Sequence, residues 1–468
     1  MLFNSLVFII LLITTMVIYY IPRMAKFQVP VLILSSLVFY SWHNIALVVL
    51  LLISAGINIV SSFLIANNIT SRRKLVAWVG VSSNLLVLAF FKYAGLISLT
   101  FFRDGSISEF LITIPLPIGI SFFTFQGISL VLDVHTQNHF RNDKIISTSF
   151  IDHAQKTLFF IAFFPQLVAG PIVKAHEFLP QIKTKRFPDI NWETAFREIV
   201  LGYFLKMVVA DNIKDFTFWI SFPYFQGKDT VSLLTMLFGY SCQIYADFAG
   251  YSLIAIGVAR LFGYNLKANF NYPYISSSFR EFWKRWHISL SSWLMEYLYF
   301  SLGGNRKGKA RTYINLMITM ILGGLWHGAA WSYAVWGAFH GIALALERML
   351  VHNVRLKETR VIRFIKMVFV FSMVTLAWLL FKLPEFSHVT EYVKTLFINT
   401  NMSVDIPLVT RIFFYSSPVV LHHLYYMYNR THVGNQKYRK FEFLLYGCMI
   451  FLILSNSGIP GAFIYFQF

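Results

Sequence analysis

Cysteine is nearly absent from this chain. Cys242 and Cys448 are the only two in 468 residues, far apart and both inside apolar stretches, so a disulfide framework and a CxxC metal or redox site are excluded. Charge is also scarce: 13% of residues are Asp, Glu, Lys or Arg, against about a quarter in soluble domains. That shortage argues against a water-soluble globule. Acidic residues are scarcer still, 21 against 40 basic ones, which leaves a net charge of +19. No GxSxG elbow, P-loop or HExxH helix occurs, and this disfavours the familiar soluble triads, nucleotide cradles and zinc proteases. There is no long linker, low-complexity tract or internal repeat of the kind that marks many transporters.

What remains is apolar. Hydrophobic residues make up 57% of the chain and aromatic residues 18%, more apolar surface than a soluble core of this length buries. Long runs without a charged residue, such as Met1–Pro22, Phe27–Ser71, Thr312–Leu346 and Phe443–Phe468, are long enough to cross a bilayer. The expected fold is an all-α, polytopic transmembrane helical bundle of roughly eleven to thirteen segments. Phe27–Ser71 holds two of them with a turn at His43–Asn44, and Ile199–Ala210 is a weaker candidate. Met1–Pro22 lacks a basic n-region and a small-residue cleavage site, so it reads as a first span and not as a signal peptide.

The cations cluster in short loops between apolar runs: Arg72–Lys74, Lys183–Arg186, Arg306–Arg311, Arg355–Arg363 and Lys437–Lys440. This is the positive-inside pattern, and it accounts for the charge without nucleic acid. Arg23 and Lys26 are two spans away from Arg72–Lys74, which puts both on one face and the N-terminus on the extracytoplasmic side. The chain reads as a single membrane domain over 1–468. Residues 1–110 are N-terminal peripheral helices, 111–348 a core carrying polar residues at membrane depth, and 349–468 C-terminal helices.

Four constellations stand out in that core. The first is GGLWHGAAW at 323–331, inside the 35-residue uncharged run Thr312–Leu346. The run is too long for one upright helix and its glycines suggest a tilted or broken one; if helical throughout, it puts Trp331, Ala334 and Ala338 on the face of His327. A neutral imidazole is a tolerable base at membrane depth, and an interhelical hydrogen bond is an equally open reading of His327. The second is FREFWKRWHISLSSW at 279–293, whose alternating tryptophans and cations suit a membrane interface. There His287 is either an anchor or a second polar group at the mouth of a channel. The third is QIYADFAGYS at 243–252, where Asp247 is an intramembrane carboxylate, read either as a functional group or as the partner of a core Lys or Arg, the ion pair being favoured over direct catalysis. The fourth is FFPQLVAGPI at 163–172, whose prolines and glycine break a helix. His135, His139, His153, His340, His352, His422 and His423 fit no metal spacing and read as structural or loop residues, so no metal site is expected.

These segments, together with NFNYPY (269–274), LGGNRKG (302–308), WGAFHG (336–341) and FIYFQF (463–468), resemble the membrane-bound O-acyltransferases. The closer likeness is to the branch of bacterial alginate O-acetyltransferase membrane subunits. One position departs: relatives often carry an acidic residue after the GYS step, whereas Leu253 follows Ser252 here. The resemblance implies that His327 matches the family's catalytic histidine and His287 a second histidine that supports activity. It implies a funnel or tunnel around His327, and no tightly bound cofactor. It also implies an acyl group, acetyl foremost, taken from cytosolic acetyl-CoA or another thioester and passed across a bacterial inner membrane. An extracytoplasmic SGNH-type partner would complete transfer to a polysaccharide hydroxyl. The basic loop Asn305–Arg311 would then meet the donor's phosphates. The competing reading is a transporter or passive conduit for an acyl donor or glycan, with the chemistry left to the partner.

Overall fold

The computed structural model describes residues 1–42, 44–102, 106–114, 116–137, 146–168, 170–353, 359–431, 442–461 and 463–464. Among these there are helices and turns but no strand. In chain order the α-helices are α1 (Leu6–Tyr19), α2 (Gln28–Ser41), α3 (Ala46–Ala66), α4 (Arg73–Phe101), α5 (Ser106–Thr113), α6 (Ile120–Thr136), α7 (Phe150–Ala162), α8 (Phe164–Leu167), α9 (Ala175–Phe178), α10 (Trp192–Tyr203) and α11 (Asp211–Thr217). They continue as α12 (Thr230–Leu261), α13 (Phe279–Arg285), α14 (Ile288–Trp293), α15 (Lys309–His327), α16 (Trp331–Asn353), α17 (Arg360–Ala377), α18 (Leu379–Lys382), α19 (Phe386–Ile398), α20 (Ile406–Thr431) and α21 (Glu442–Ser455).

Five helical stretches among the described residues are long and apolar enough to cross a membrane: Pro22–Ser41, Ala46–Ala66, Arg73–Ser98, Thr230–Leu261 and Arg360–Lys382. The other apolar runs fold into shorter helices or into helices interrupted by proline, glycine or π-helical turns. A count of uncharged runs therefore exceeds the count of long spans. The expected turn after α2 falls at residues 42–45. Asn44 Oδ1 accepts from the Ala46 amide at 2.9 Å, a local turn just ahead of α3, while His43 lies outside the described residues.

The chain forms two compact units, Met1–Ile199 with Leu253–Lys267, and Val200–Ser252 with Ala268–Phe468. In the first, α3 packs on α4, α6 and α7. Polar residues on these helices bond one another. Asn58 and Asn84 exchange amide hydrogen bonds at 3.1 and 3.2 Å, Ser54 donates to Asn84 at 3.0 Å, and Ser62 meets His153 Nε2 at 2.8 Å. The prolines of 163–172 act as expected. Helix α7 stops at Ala162, α8 is a single turn, and the freed Phe164 amide donates to Ser36 Oγ at 3.0 Å. Gln28 of α2 exchanges hydrogen bonds of 2.8 Å with the Lys185 backbone, so the basic turn at Arg23–Lys26 and the basic loop Lys183–Arg186 share one end of this unit.

The second unit is built around the Thr230–Ser252 part of α12. This is the most enclosed of the five spans, 83% buried along its apolar window where the others are 22–39%. A π-helical turn, Phe204–Ala210, separates α10 from α11. The Met207 carbonyl in that turn accepts from the Gly458 amide at 2.9 Å. With Asn212 Nδ2 on the Asn456 carbonyl (3.0 Å) and Lys214 Nζ on the Ile459 carbonyl (3.0 Å), it straps the segment after α21 to the unit. Helices α15 and α16 form a close antiparallel hairpin. A Cβ at Gly324 would sit 2.2 Å from the Tyr333 carbonyl oxygen, and one at Gly337 2.3 Å from the Met320 carbonyl oxygen. Only glycine allows backbones this near.

Candidate active site

His327 is the last residue of α15. Gly328 is extended and α16 starts at Trp331, so the run Thr312–Leu346 is a broken helix. Because of the break, Trp331, Ala334 and Ala338 do not continue the His327 face as an unbroken helix would have them do. The His327 side chain is 3% exposed, and its ring lies 5.1 Å from Phe381, 5.2 Å from Trp326 and 5.3 Å from Trp336. This aromatic wall keeps bulk water away from the imidazole.

His287 is not at an interface. It is fully buried, with its ring centroid 6.1 Å from that of His327. The sequence-level anchor reading fails because the tryptophan-and-cation segment does not run as one surface helix. It folds as α13, a break at Trp286–His287 and α14, and His287 takes a left-handed conformation (φ 42°) that turns the chain inward. The cations stay outside or pair: Arg285 bonds Glu281 at 2.9 Å and donates to the Asn271 carbonyl.

Asn269, which composition did not single out, orients His287. Its Oδ1 accepts from the Ser289 amide (3.2 Å) and the Ser289 hydroxyl (2.9 Å), and lies 3.1 Å from His287 Nδ1. A carbonyl oxygen only accepts, so Nδ1 carries the proton and the neutral ring holds its lone pair on Nε2. Asn269 is fixed in turn by its own Nδ2, which donates to Ser252 Oγ at 3.2 Å. The signal was present in NFNYPY as a polar residue between apolar ones, but its partner is 18 positions away.

Asp247 has the cationic partner expected of it. Lys206 Nζ lies 2.7 Å from Asp247 Oδ1 and 2.7 Å from Asp211 Oδ1, with all three side chains 5% exposed or less. Asp247 Oδ2 accepts from the Ile464 amide at 2.7 Å, and Lys206 donates to the Gly461 carbonyl at 3.3 Å. The ion cluster therefore fastens the C-terminal strap, although residues 465–468 of FIYFQF lie outside the described residues. It lines a cavity of about 590 Å³ together with Tyr240, Gln243, Phe381 and Lys382. Phe381 is thus shared between that cavity and His327.

A second cavity, about 920 Å³, lies at the other end of the α15–α16 hairpin. Arg280, Lys309, Arg348 and Glu347 are at its rim, and Tyr299, Leu316 and Leu344 are inside. Lys309 is about 27 Å along α15 from His327, while Lys382 of the first cavity ends a stretch that runs about 33 Å from Arg360. His327 thus has a basic-rimmed cavity at the far end of its own helix and an ion-lined one beside it.

The remaining histidines are mostly accounted for. His153 bonds Ser62, His422 meets the Tyr272 hydroxyl at 3.1 Å, and His423 Nδ1 meets the Val419 carbonyl at 2.8 Å. His139 and the side chain of His352 lie outside the described residues. Asp133 and His176 pair at 2.8 Å in the first unit.

Comparison with known proteins places the chain in a family. Residues 27–384 match the family model described as MBOAT, membrane-bound O-acyltransferase family. A probable alginate O-acetylase of Azotobacter vinelandii is 37% identical over 391 residues, covering 82% of this chain and 75% of that protein. A peptidoglycan O-acetyltransferase of Helicobacter pylori is 34% identical over 397 residues, covering 78% and 72%. A teichoic acid D-alanyltransferase of Bacillus subtilis is 29% identical over 238 residues, covering 48% and 58%. The chain is therefore a multi-pass membrane acyltransferase and belongs to the membrane-bound O-acyltransferase family.

Proposed function

We propose that this protein passes an acetyl group from a cytosolic thioester, acetyl-CoA foremost, across the bacterial inner membrane for O-acetylation of an extracytoplasmic polysaccharide. The observation that carries the reading is a pair of buried histidines with ring centroids 6.1 Å apart, at the end of a helix that leads from a basic-rimmed cavity. His327 is the general base. It takes the proton of an acceptor hydroxyl as that oxygen attacks the thioester carbonyl. The C–S bond breaks, and the proton passes on to the leaving thiolate sulfur. His287, locked in one tautomer by Asn269, supports the same transfer. The two cavities are the two ends of the funnel: donor at Lys309 and Arg348, acceptor beside Lys206 and Lys382. Coenzyme A is polyanionic and stays on its own side, so only the small acyl group crosses.

Residues 111–348 carry the chemistry, between N-terminal (1–110) and C-terminal (349–468) helices, with Phe381 and the strap 456–464 joining the site. Basic loops sharing one end of the first unit support a cytoplasmic assignment for that end and an extracytoplasmic N-terminus. The loop Asn305–Arg311 meets the donor's phosphates. The acceptor side works with an SGNH-type partner that delivers the group to the glycan, in keeping with relatives named for alginate and peptidoglycan O-acetylation.

The test is envelope-polysaccharide O-acetylation in cells whose only copy carries His327→Ala. Acetylation should fall by about 10²–10⁴-fold at normal protein level, the usual worth of a general base. Near-normal acetylation would overturn the reading and leave a conduit.

A further inference from the structure

His340 is the one histidine near the site that neither the fold nor the mechanism uses. It is fully buried on α16, and neither ring nitrogen has a hydrogen-bond partner among the described residues. The indole nitrogens of Trp336 and Trp283, whose rings lie 4.6 and 5.2 Å from the His340 ring, are likewise buried and without a partner there. Phe282 stacks on the same imidazole at 6.1 Å. For packing alone phenylalanine serves this pocket better, because each unmet buried donor or acceptor costs its desolvation.

The placement says what would meet them. Trp336, His340 and Leu344 are spaced four apart and form one stripe of α16, about 12 Å from first to last. Leu344 is in the wall of the basic-rimmed cavity, and the Trp336 ring is 5.3 Å from His327. Trp283 joins the stripe from α13, one turn beyond Arg280, which is in the wall of the same cavity. The stripe therefore runs from the cavity to the reacting imidazole. It offers indole N–H donors, and one imidazole donor and acceptor in either tautomer. That set complements secondary amides, whose carbonyls accept from indole and whose N–H donates to imidazole. A plain alkyl chain or an acyl phosphate has no such amides.

We propose that His340, with Trp283 and Trp336, positions the amide-bearing pantetheine arm of the acyl donor between the basic-rimmed cavity and His327. This rests on the reading of His327 as the transfer centre and adds the residues that position the donor's arm.

The test uses the full-length protein in lipid nanodiscs and two non-transferable ligands. One is the thioether analogue of acetyl-CoA; the other is the same molecule with both arm amides replaced by methylene groups. His340→Phe should weaken binding of the amide-bearing analogue by tenfold or more, bind the amide-free one as wild type does, and leave the unliganded melting temperature equal or higher. A residue that only packs would leave the two ligands equally affected, with no selective loss for the amide-bearing one. Equal affinity of wild type and His340→Phe for the amide-bearing analogue overturns this proposal and leaves the acetyl-transfer reading standing. Failure of wild type to bind that analogue at all overturns the donor in both. Should His340→Phe not accumulate, the same pair of affinities is read on Trp283→Phe, which removes one donor from a half-buried ring, with at least a threefold loss expected for the amide-bearing analogue alone and no loss overturning the proposal.

Discussion

Two buried polar clusters behave in opposite ways. In the first unit, Ser54, Asn58, Asn84, Ser62 and His153 bond one another across α3, α4 and α7. In the second, Trp283, Trp336 and His340 crowd together without bonding. Both bury costly polar groups inside an apolar protein. The closed network satisfies its own members and so holds helices together. The open one gains nothing from its polarity unless something polar is brought to it. Closure separates polar residues kept for the fold from polar residues kept for a substrate, and the two clusters make that distinction testable within one chain.

The largest stability effect belongs to a third cluster, where charge replaces neutral polarity. Lys206→Met leaves Asp211 and Asp247 buried together without their cation and unfastens Gly461 from the lysine. Breaking a buried ion pair by removing one partner costs about 3–5 kcal/mol. The variant should therefore accumulate poorly, with a lowered melting temperature in detergent. A melting temperature like that of wild type would show that the cluster does not fasten the strap.

Next in size is Asn269→Leu. It removes the acceptor that fixes the His287 tautomer, so it should lower acetyl transfer by about 10–100-fold, by analogy with the loss of a partner that orients a metal-bound histidine. Asn269→Asp keeps an oxygen acceptor and should recover part of it. If Asn269→Leu transfers acetyl at the wild-type rate, His287 takes no part in the reaction.

The closed network predicts the reverse pattern. Asn58→Leu should destabilise by about 1–3 kcal/mol by stranding Asn84, yet leave the rate per folded molecule unchanged. Asn58→Leu with Asn84→Leu should recover stability, since replacing both partners by apolar groups is nearly neutral. Thermal unfolding and acetyl transfer of the three variants read this cycle. A double variant weaker than either single would mean the network is more than a reciprocal pair.

Much of this was legible in the sequence where the signal is local. Apolar runs predict the helices, prolines 165 and 171 predict the break after α7, and Asp247 predicts a buried cation partner. The glycines around His327 predict a tilted or broken helix, but not that the break falls directly after the histidine. What was not legible depends on distance along the chain or on backbone turns. Lys206 is 41 positions before Asp247, in a span the composition marks as weak, and nothing local pairs them. His287 looked interfacial because its neighbours are Trp, Lys and Arg, and only the left-handed turn at that residue reverses its environment. His340 read as structural because one buried histidine looks like another until its nitrogens are counted.

The smallest effect tests the comparison outside the membrane. Asp405 precedes α20, and Lys228 Nζ lies 3.0 Å from its Oδ2 at the start of α12. The lysine holds this carboxyl below the ordinary aspartate range, against an opposing push from burial. A carboxyl depressed on folding adds stability that is fully present above its unfolded value of about 3.9 and fades as pH falls through the lower folded value. The pair is partly solvated, with Asp405 36% exposed, so the worth is a few tenths of a kcal/mol. The protection factor for hydrogen exchange at the first turn of α12, taken against the intrinsic rate at each pH, should therefore fall slightly below about pH 4, and fall less in Asp405→Asn. The rate of acetyl transfer should not change with that substitution, because Asp405 belongs to a pair that closes on itself, as Asn58 and Asn84 do. A drop in transfer with Asp405→Asn at neutral pH would place this loop in the acceptor's path and break the rule that closed polar pairs serve only the fold.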